Sequence, residues 1–216
     1  MTTSGDSGYI AVGSLRQEGG RMSVGRLLAR TVIGGLFIGH GTQKLFGWFG
    51  GSGRAGTEAM MESIGMRPAK VHAVLAGTTE TVGGSLLAAG LATPLASAAL
   101  TGVMTTAIRK VHLPNGPWAA NGGWEYNAVL IAAVTALAET GPGDLSLDRL
   151  LGTERRGPLW ALAALATGVG TAFLTMELGR RGRPSAAAIP QSTAPESTAV
   201  EAAHGDTAGD PTTTET

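Results

Sequence analysis

Five long apolar segments are separated by polar and glycine-rich stretches along this chain. We predict a helix in each, over residues 24–46, 71–91, 94–111, 124–140 and 158–178. Each segment is near the ~20 residues that a helix needs to cross a bilayer, although the third and fourth are shorter. The segments lack the continuous polar face of a soluble surface helix. The pattern therefore predicts an all-α integral membrane protein, with a soluble bundle of buried helices as the alternative.

The stretches between these segments predict how the chain is divided. The link Ala92–Pro94 is so short that the second and third segments should form an antiparallel hairpin. Glycine and proline at 141–143 should end the fourth segment. We expect a short amphipathic segment around 56–64. The chain should divide into a flexible polar leader over 1–22, a four-helix transmembrane domain over 23–152 and a further transmembrane helix with basic flanks over 153–183. A disordered tail rich in acidic residues, Ala, Thr and Pro should follow over 184–216.

Ionisable residues lie inside the apolar segments, and they are the candidate functional groups. A charge at the centre of a membrane span costs roughly 2.5–3.5 kcal/mol on insertion scales, so it should face the protein interior and have a partner. At 100° per residue, one face of the first segment carries Arg30, Gly34, Phe37, Gly41 and Lys44. Gly35 and Gly39 offer a second face for close helix packing.

Alternating direction of the segments predicts which of these groups share a membrane depth. Lys44, Arg109, His112 and Glu125 should share one rim, and Arg30 and Glu139 the other. Glu80, in the middle of the second segment, should face the first segment and be paired, with Lys44 as one candidate partner, or be protonated. Gly84, one turn further, should let the first segment approach closely. The alternative for Lys44, Arg30, Arg109 and Lys110 is that they extend to the interface without a functional partner.

Charge and composition exclude several other functions. The formal net charge is +0, and nothing in it suggests nucleic-acid binding. The chain has no cysteine, which excludes thiol nucleophiles, disulfides and cysteine-bound iron–sulfur clusters. Gly51–Gly56 matches GxGxxG without a preceding strand, and His40 with His112 is a weak haem or metal pair, so we predict no metal site. Positive charges on the two sides are too even to set the membrane orientation.

Several of these residues together form a recognisable pattern. Arg30 is followed by Gly41-Thr-Gln43-Lys44-Leu-Phe-Gly, a glycine-rich loop, Glu80-Thr-Val-Gly-Gly84 and Gly90-Leu-Ala-Thr; later come Trp-Glu125-Tyr126-Asn and Gly141-Pro-Gly-Asp-Leu-Ser-Leu-Asp148. Over about 26–151 the chain resembles the DoxX family of small bacterial membrane proteins. The resemblance implies a four-helix bundle in the bacterial plasma membrane, with the fifth segment and both tails outside it.

The resemblance also implies a function for the polar residues. Some relatives are subunits of quinol oxidases or of thiosulfate:quinone oxidoreductases, so we expect a non-autonomous membrane subunit that uses a quinone. Lys44, Arg109, His112 and Tyr126 are the expected hydrogen-bond donors, with Glu80 and Glu125 as proton carriers. His40, Gln43 and Arg30 complete the candidate set. Electrons would need a redox protein partner or a bound cofactor. The partner expected is such a redox protein or a second copy of the chain in a homo-oligomer. The alternative function is a non-catalytic membrane scaffold or a small-solute permease, whose buried charges only hold the bundle together.

Overall fold

The computed structural model describes residues 24–182, and this part of the chain is helical without a strand. The all-α prediction is therefore confirmed for these residues. The helices are α1 (Val24–Phe46), α2 (Gly53–Ser63), α3 (Ala69–Ala89), α4 (Thr93–Ala107), α5 (Glu125–Thr140), α6 (Leu147–Leu151) and α7 (Pro158–Arg181). Single 3₁₀ turns occur at Trp48–Gly50, Leu113–Asn115 and Ala119–Asn121. The predicted leader and tail lie outside the described residues.

Apart from the end of α4, the helix boundaries agree with the apolar pattern to within about three residues, the largest shifts being the start of α2 at Gly53 and the end of α7 at Arg181. Three local features also differ. The α3–α4 link is Gly90–Ala92, where Gly90 and Ala92 both have positive φ, and α4 therefore begins at Thr93. The third predicted segment is α-helical only to Ala107 and continues as one π-helical turn, Ile108–His112. The short helix α6 was not predicted; Ser146 caps it by accepting a hydrogen bond from the Arg149 amide.

The five long helices alternate in direction, as contacts at their ends show. At one end, Arg26 Nη1 donates to Thr140 O at 2.8 Å, and Gly157 N donates to Glu139 O at 2.8 Å. These bonds place the start of α1, the end of α5 and the start of α7 together. At the other end, Arg67 N donates to Gly179 O at 3.1 Å, which joins the start of α3 to the end of α7. The long helices therefore alternate in direction as predicted, and their passage through a bilayer stays a prediction.

Glycines bring α1 and α3 into close contact. A Cβ added at Gly34 would lie 2.5 Å from Gly84 O, and one added at Gly84 would lie 2.6 Å from Gly34 O. The predicted role of Gly84 is therefore confirmed. The face predicted at Gly35 and Gly39 is not used for packing among the described helices, because a Cβ at either position would meet nothing within 4 Å. The buried stripe follows Arg30, Gly34, Phe37 and Gly41, and Gly35 lies on the outer side of α1.

Helix α7 packs along α4 and also contacts α5, so the fifth segment is joined to the same bundle as the first four. Ala98 of α4 and Ala161 and Ala164 of α7 form a small buried cluster with Ala138. A Cβ at Gly168 would lie 2.6 Å from Ala98 O, which shows how closely the two backbones approach. The division between residues 23–152 and 153–183 stays a prediction.

The core of the bundle mixes apolar and polar side chains, whereas its outer surface is apolar. Phe37, Leu87, Leu100 and Val134 centre one buried cluster. Polar side chains are buried beside it, including Arg30, His72, Glu80, Ser97, Thr101 and Asn127. Exposed apolar side chains cover the outer faces of the long helices, among them Leu28, Val32, Leu36, Val74, Leu75, Val82, Leu95, Val129, Leu162, Phe173 and Leu174.

By length and composition, one helix in the described residues is suited to crossing a membrane. This is α7, whose most apolar window has a mean hydropathy of 1.6. The helices α4 and α5, with 15 and 16 residues, are shorter than a typical span. The number of spans that the sequence predicted is therefore not confirmed by this criterion.

Candidate functional site

An ion pair between α1 and α3 is the centre of the candidate site. Lys44 Nζ lies 2.5 Å from Glu80 Oε2, and the two side chains are 25% and 3% exposed. The pair forms because α1 and α3 approach closely one turn away: a Cβ at Gly41 would lie 2.6 Å from Gly77 O. Glu80 therefore faces the interior against α1, as predicted, and it has the partner that the sequence suggested.

Two cavities meet at this ion pair, and both are lined by Lys44 and Glu80. The first, here called the histidine cavity, has a volume of about 410 Å³ and also contains His40, His112, Tyr126 and Asn127. The second, here called the methionine cavity, has a volume of about 270 Å³ and also contains Met60, Met61, Met66, His72 and Lys110. A bound molecule in either cavity would therefore lie beside the same carboxylate and ammonium groups.

The histidine cavity combines polar groups with an apolar wall. Leu36, Phe37 and Leu130 supply apolar lining, and the Asn127 Nδ2 donates to Met104 Sδ at 3.3 Å. His112 Nδ1 lies 2.7 Å from Gly122 O. Because a carbonyl only accepts, Nδ1 carries the proton, and Nε2 of the neutral ring is an acceptor. The cavity thus offers both donors and a proton acceptor.

Four of the predicted site residues do not line either cavity and have other contacts: Gln43, Arg109 and Glu125 at this end of the bundle, and Arg30 at the other. Gln43 Nε2 donates to Phe49 O at 3.3 Å, and Glu125 Oε1 accepts from Ala119 N at 2.7 Å. Arg109 is exposed, and its guanidinium lies 5.9 Å from the centre of the Phe173 ring on α7. Arg109 and Glu125 therefore do not line a cavity together with Lys44, and their predicted shared depth at one rim stays a prediction. Depth along the helix does not fix which groups meet, because that depends on the rotation of each helix about its axis.

Arg30 lies at the opposite end of the bundle from Lys44 and is structural. It is 3% exposed, and Nη1 donates to Ala88 O at 2.6 Å. Nη2 donates to Leu145 O, so one side chain joins α1, the end of α3 and the segment before α6. Gly90 makes room for it, since a Cβ there would lie 2.6 Å from Arg30 Nη1. Arg30 therefore does not extend to the interface.

Sequence reasoning missed Asp148, which binds the α3–α4 link at the Arg30 end of the bundle. Its carboxylate accepts from Ala92 N at 2.9 Å, Thr93 N at 3.1 Å and Thr153 Oγ1 at 3.0 Å, and Asp148 N donates to Gly90 O at 2.9 Å. Burial raises the pKa of Asp148, but these backbone and hydroxyl hydrogen bonds outweigh it and hold the pKa below its ordinary value. The Ser-Leu-Asp sequence was noted only as part of the family pattern.

Two further residues of the methionine cavity were also missed. His72, in the first turn of α3, is 8% exposed and lines the cavity. Lys110 lines the same cavity and donates to Ile64 O at 3.0 Å, so it is more than an interfacial lysine. No local signal identifies either residue, because both face the cavity only through the packing of α2, α3, α4 and α7.

Comparisons with known proteins give one match. The DoxX family model matches residues 25–113, which run from α1 through α4 and its π-helical turn. The match includes Lys44, Glu80 and His112, whereas Tyr126 and the region of resemblance up to residue 151 lie beyond it. Neither the curated proteins nor the solved structures contain a match to the chain. Together with the ordered polar motifs, this match supports membership of the DoxX family for residues 25–113 of the chain.

Proposed function

We propose that the protein is a multi-pass membrane protein whose long helices all cross the bilayer. The distribution of side chains supports this: Arg30 and Glu80 are buried, while Leu28, Val82 and Leu162 on three different helices are at least half exposed. In water such a surface would favour aggregation or association. In a bilayer the same apolar groups contact lipid, and the buried charges have partners as they require.

We further propose that the histidine cavity binds the head group of a quinone and that the protein is the membrane subunit of a quinone-linked oxidoreductase. The observation that carries this is the presence of Lys44, His112 and Tyr126 in one cavity with an apolar wall, beside the Glu80 carboxylate. Quinone oxygens need hydrogen-bond donors, and the ring needs apolar contact, so the residues present fit such a group. Bound quinone would supply two-electron, two-proton redox chemistry.

The chain's own residues would have binding and proton-handling roles. The Lys44 ammonium donates to an oxygen of the bound ring, and the neighbouring Glu80 carboxylate offsets its charge in the interior. His112, with Nδ1–H held by Gly122 O, presents Nε2 as proton acceptor, and the Tyr126 hydroxyl can donate or accept. Electrons would come from a redox protein partner, since the chain contains no cysteine for a thiol couple.

Quinone binding can be tested with the full chain purified in detergent or lipid nanodiscs. We expect co-extracted quinone in mass spectrometry and saturable binding of added quinone. Lys44→Met should weaken this binding by about tenfold or more, because a charge-assisted hydrogen bond is lost. Lys70→Met is the matched control, since Lys70 is exposed and lines neither cavity. Equal quinone binding by both variants, or none by the native protein, would contradict the proposal.

The structure also gives one observation in favour of a small-solute permease. The two cavities share Lys44, Glu80 and Ala107, so a single ion pair lies between two spaces inside the bundle. For a permease, reconstituted vesicles should show solute or proton flux that Glu80→Gln changes. For a scaffold, Glu80→Gln should change stability alone. Quinone binding without flux would favour the oxidoreductase subunit.

A further inference from the structure

The methionine cavity contains a cluster of sulfur and imidazole groups that the proposed quinone site does not use. Four of the chain's seven methionines belong to it: Met60, Met61 and Met66 line the cavity, and Met176 packs against Met61 and Met66. Met66 and Met61 are 1% and 8% exposed. Methionine commonly fills irregular gaps in a core, so sulfur content alone does not define a site.

His72 is the second, independent observation. The residue is only 8% exposed, and it lines the same cavity. Within residues 24–182 no hydrogen bond to its ring nitrogens is seen, and the neutral ring has one nitrogen that can accept a metal ion. Its Nε2 and Met66 Sδ lie 3.2 and 3.0 Å from the position of a Cβ added at Gly179. A nitrogen and a sulfur donor therefore both pack against Gly179.

The backbone holds these donors in place from three directions. Met66 N donates to Met61 O at 2.9 Å, which folds the end of α2 back on itself. Arg67 N donates to Gly179 O at 3.1 Å, which fixes this turn to α7. His72 N donates to Pro68 O at 3.2 Å in the first turn of α3. The donors are thus presented by connected, well-packed segments.

The chemistry of this donor set selects the kind of ion. Thioether sulfur is a soft ligand that favours Cu(I), and imidazole also binds copper. In the described residues no group of three His, Asp or Glu side chains is arranged to hold a metal, which argues against a site for a harder ion. Lys44 and Lys110 line the same cavity, so a monovalent ion costs less to bury there than a divalent one.

We propose that Met61, Met66 and His72 form a binding site for a soft monovalent metal ion, Cu(I) or its analogue Ag(I). The site lies between the end of α2, the start of α3 and the end of α7. Met60 also lines the cavity, and Met176 packs against the same cluster. The proposal does not depend on quinone binding, because the sulfur and imidazole donors lie outside the histidine cavity.

The test is titration of the full chain in detergent with Ag(I), which is stable in air. We expect one equivalent to bind and to raise the thermal midpoint of unfolding. Met66→Leu and His72→Gln should each weaken Ag(I) binding by about tenfold or more, since each removes a ligand. Two substitutions are matched controls and should bind Ag(I) like the native chain. Met104→Leu replaces a buried methionine outside the methionine cavity. His204→Gln replaces a histidine outside the described residues.

Two results would overturn the proposal: no stoichiometric Ag(I) binding, or binding that Met66→Leu and His72→Gln leave unchanged. Replacement of Met by Leu nearly conserves volume and typically costs less than about 1.5 kcal/mol, so the variants should fold. If Met66→Leu does not fold, Met61→Leu serves instead, and unchanged affinity in that variant counts equally against the site. X-ray absorption of the Cu(I)-loaded protein should show sulfur and nitrogen ligands together; oxygen ligands alone would contradict it.

Discussion

At the scale of single residues, the two members of the Lys44–Glu80 ion pair differ in exposure. Glu80 is 3% exposed and Lys44 is 25% exposed, so the lysine alone has partial access to water. Removing the lysine leaves a buried carboxylate without its cation, whereas removing both charges leaves two neutral groups. Breaking one side of a buried pair is usually the more damaging change.

We therefore expect Lys44→Met to unfold at a lower temperature than the double variant Lys44→Met/Glu80→Gln. The coupling free energy between the two positions should be about 1–3 kcal/mol. Thermal unfolding of the native chain, both single variants and the double variant in one detergent gives this value. Additive effects of the two substitutions would show that the ion pair contributes no net interaction.

A second residue-scale prediction concerns pH and Asp148. Its folded pKa is lowered, chiefly because hydrogen bonds from Ala92, Thr93 and Thr153 overcome the opposing effect of burial. The resulting stabilisation is fully present above the unfolded pKa of about 3.9 and is lost as pH falls through the lower folded pKa. Stability should therefore fall with acidification below about pH 4.

Asp148→Asn should lower the stability of the protein at neutral pH by about 1–3 kcal/mol, because the new amide NH₂ group would face the donors of Ala92, Thr93 and Thr153. It should also flatten the loss of stability in acid. Asp144→Asn is the control, since Asp144 is exposed a few residues away. The measurement is thermal unfolding between pH 3 and 7 for both variants, and equal acid sensitivity in the two would refute the role given to Asp148.

At the scale of helices, the α1–α3 contact depends on which glycines face the partner. Gly34→Ala would place a Cβ 2.5 Å from Gly84 O and 2.8 Å from Ala88 Cβ. Overpacking of this kind costs about 1–3 kcal/mol. Gly35→Ala meets nothing within 4 Å and should be neutral or stabilising by up to about 1 kcal/mol. Thermal unfolding of the two variants tests the packing face, and the reverse order of stabilities would exclude it.

The contact between α4 and α7 offers an equivalent pair. Gly168→Ala would place a Cβ 2.6 Å from Ala98 O and 2.6 Å from Thr101 Cβ, whereas Gly170→Ala meets nothing within 4 Å. We expect the first substitution to lower the unfolding temperature by several degrees and the second to leave it unchanged or raised. If both are silent, α7 does not pack on α4 as described.

At the scale of the whole molecule, the described chain has five long helices that alternate in direction, so its two ends lie at opposite ends of the bundle. The absence of native cysteine makes single-cysteine labelling direct. Arg54→Cys and Lys70→Cys lie at one end of the bundle, and Leu150→Cys lies at the other; all three native side chains are exposed. An impermeant maleimide should label the first two from one side of intact cells and the third only after permeabilisation, or the reverse.

Labelling of all three positions from the same side would contradict the multi-pass arrangement. Recovery of the native protein in the soluble fraction would favour the alternative of a soluble bundle. The result also sets the orientation, which the near-equal distribution of Arg and Lys between the two sides left open.

The sequence by itself determined the helices and the polarity of the interior. Hydrophobic periodicity and glycine or proline breaks are local, so α1, α5 and the start of α7 were predicted within one or two residues. The stripe from Arg30 to Gly41 was also predicted, because one helix surface fixes it. Glu80 at the centre of a long apolar segment required an inward orientation, and the family motifs added the likeness that the match over 25–113 bears out.

Tertiary structure decided which faces meet. Depth placed Lys44, Arg109 and Glu125 together, but the rotation of each helix about its axis sent Arg109 towards Phe173 and left Glu80 as the partner of Lys44. Close approach at Gly34, and not at Gly35, depends on the opposing backbone of α3. Asp148 and His72 acquire their surroundings from segments distant in sequence. Such contacts are cooperative properties of packed surfaces, and no local pattern specifies them.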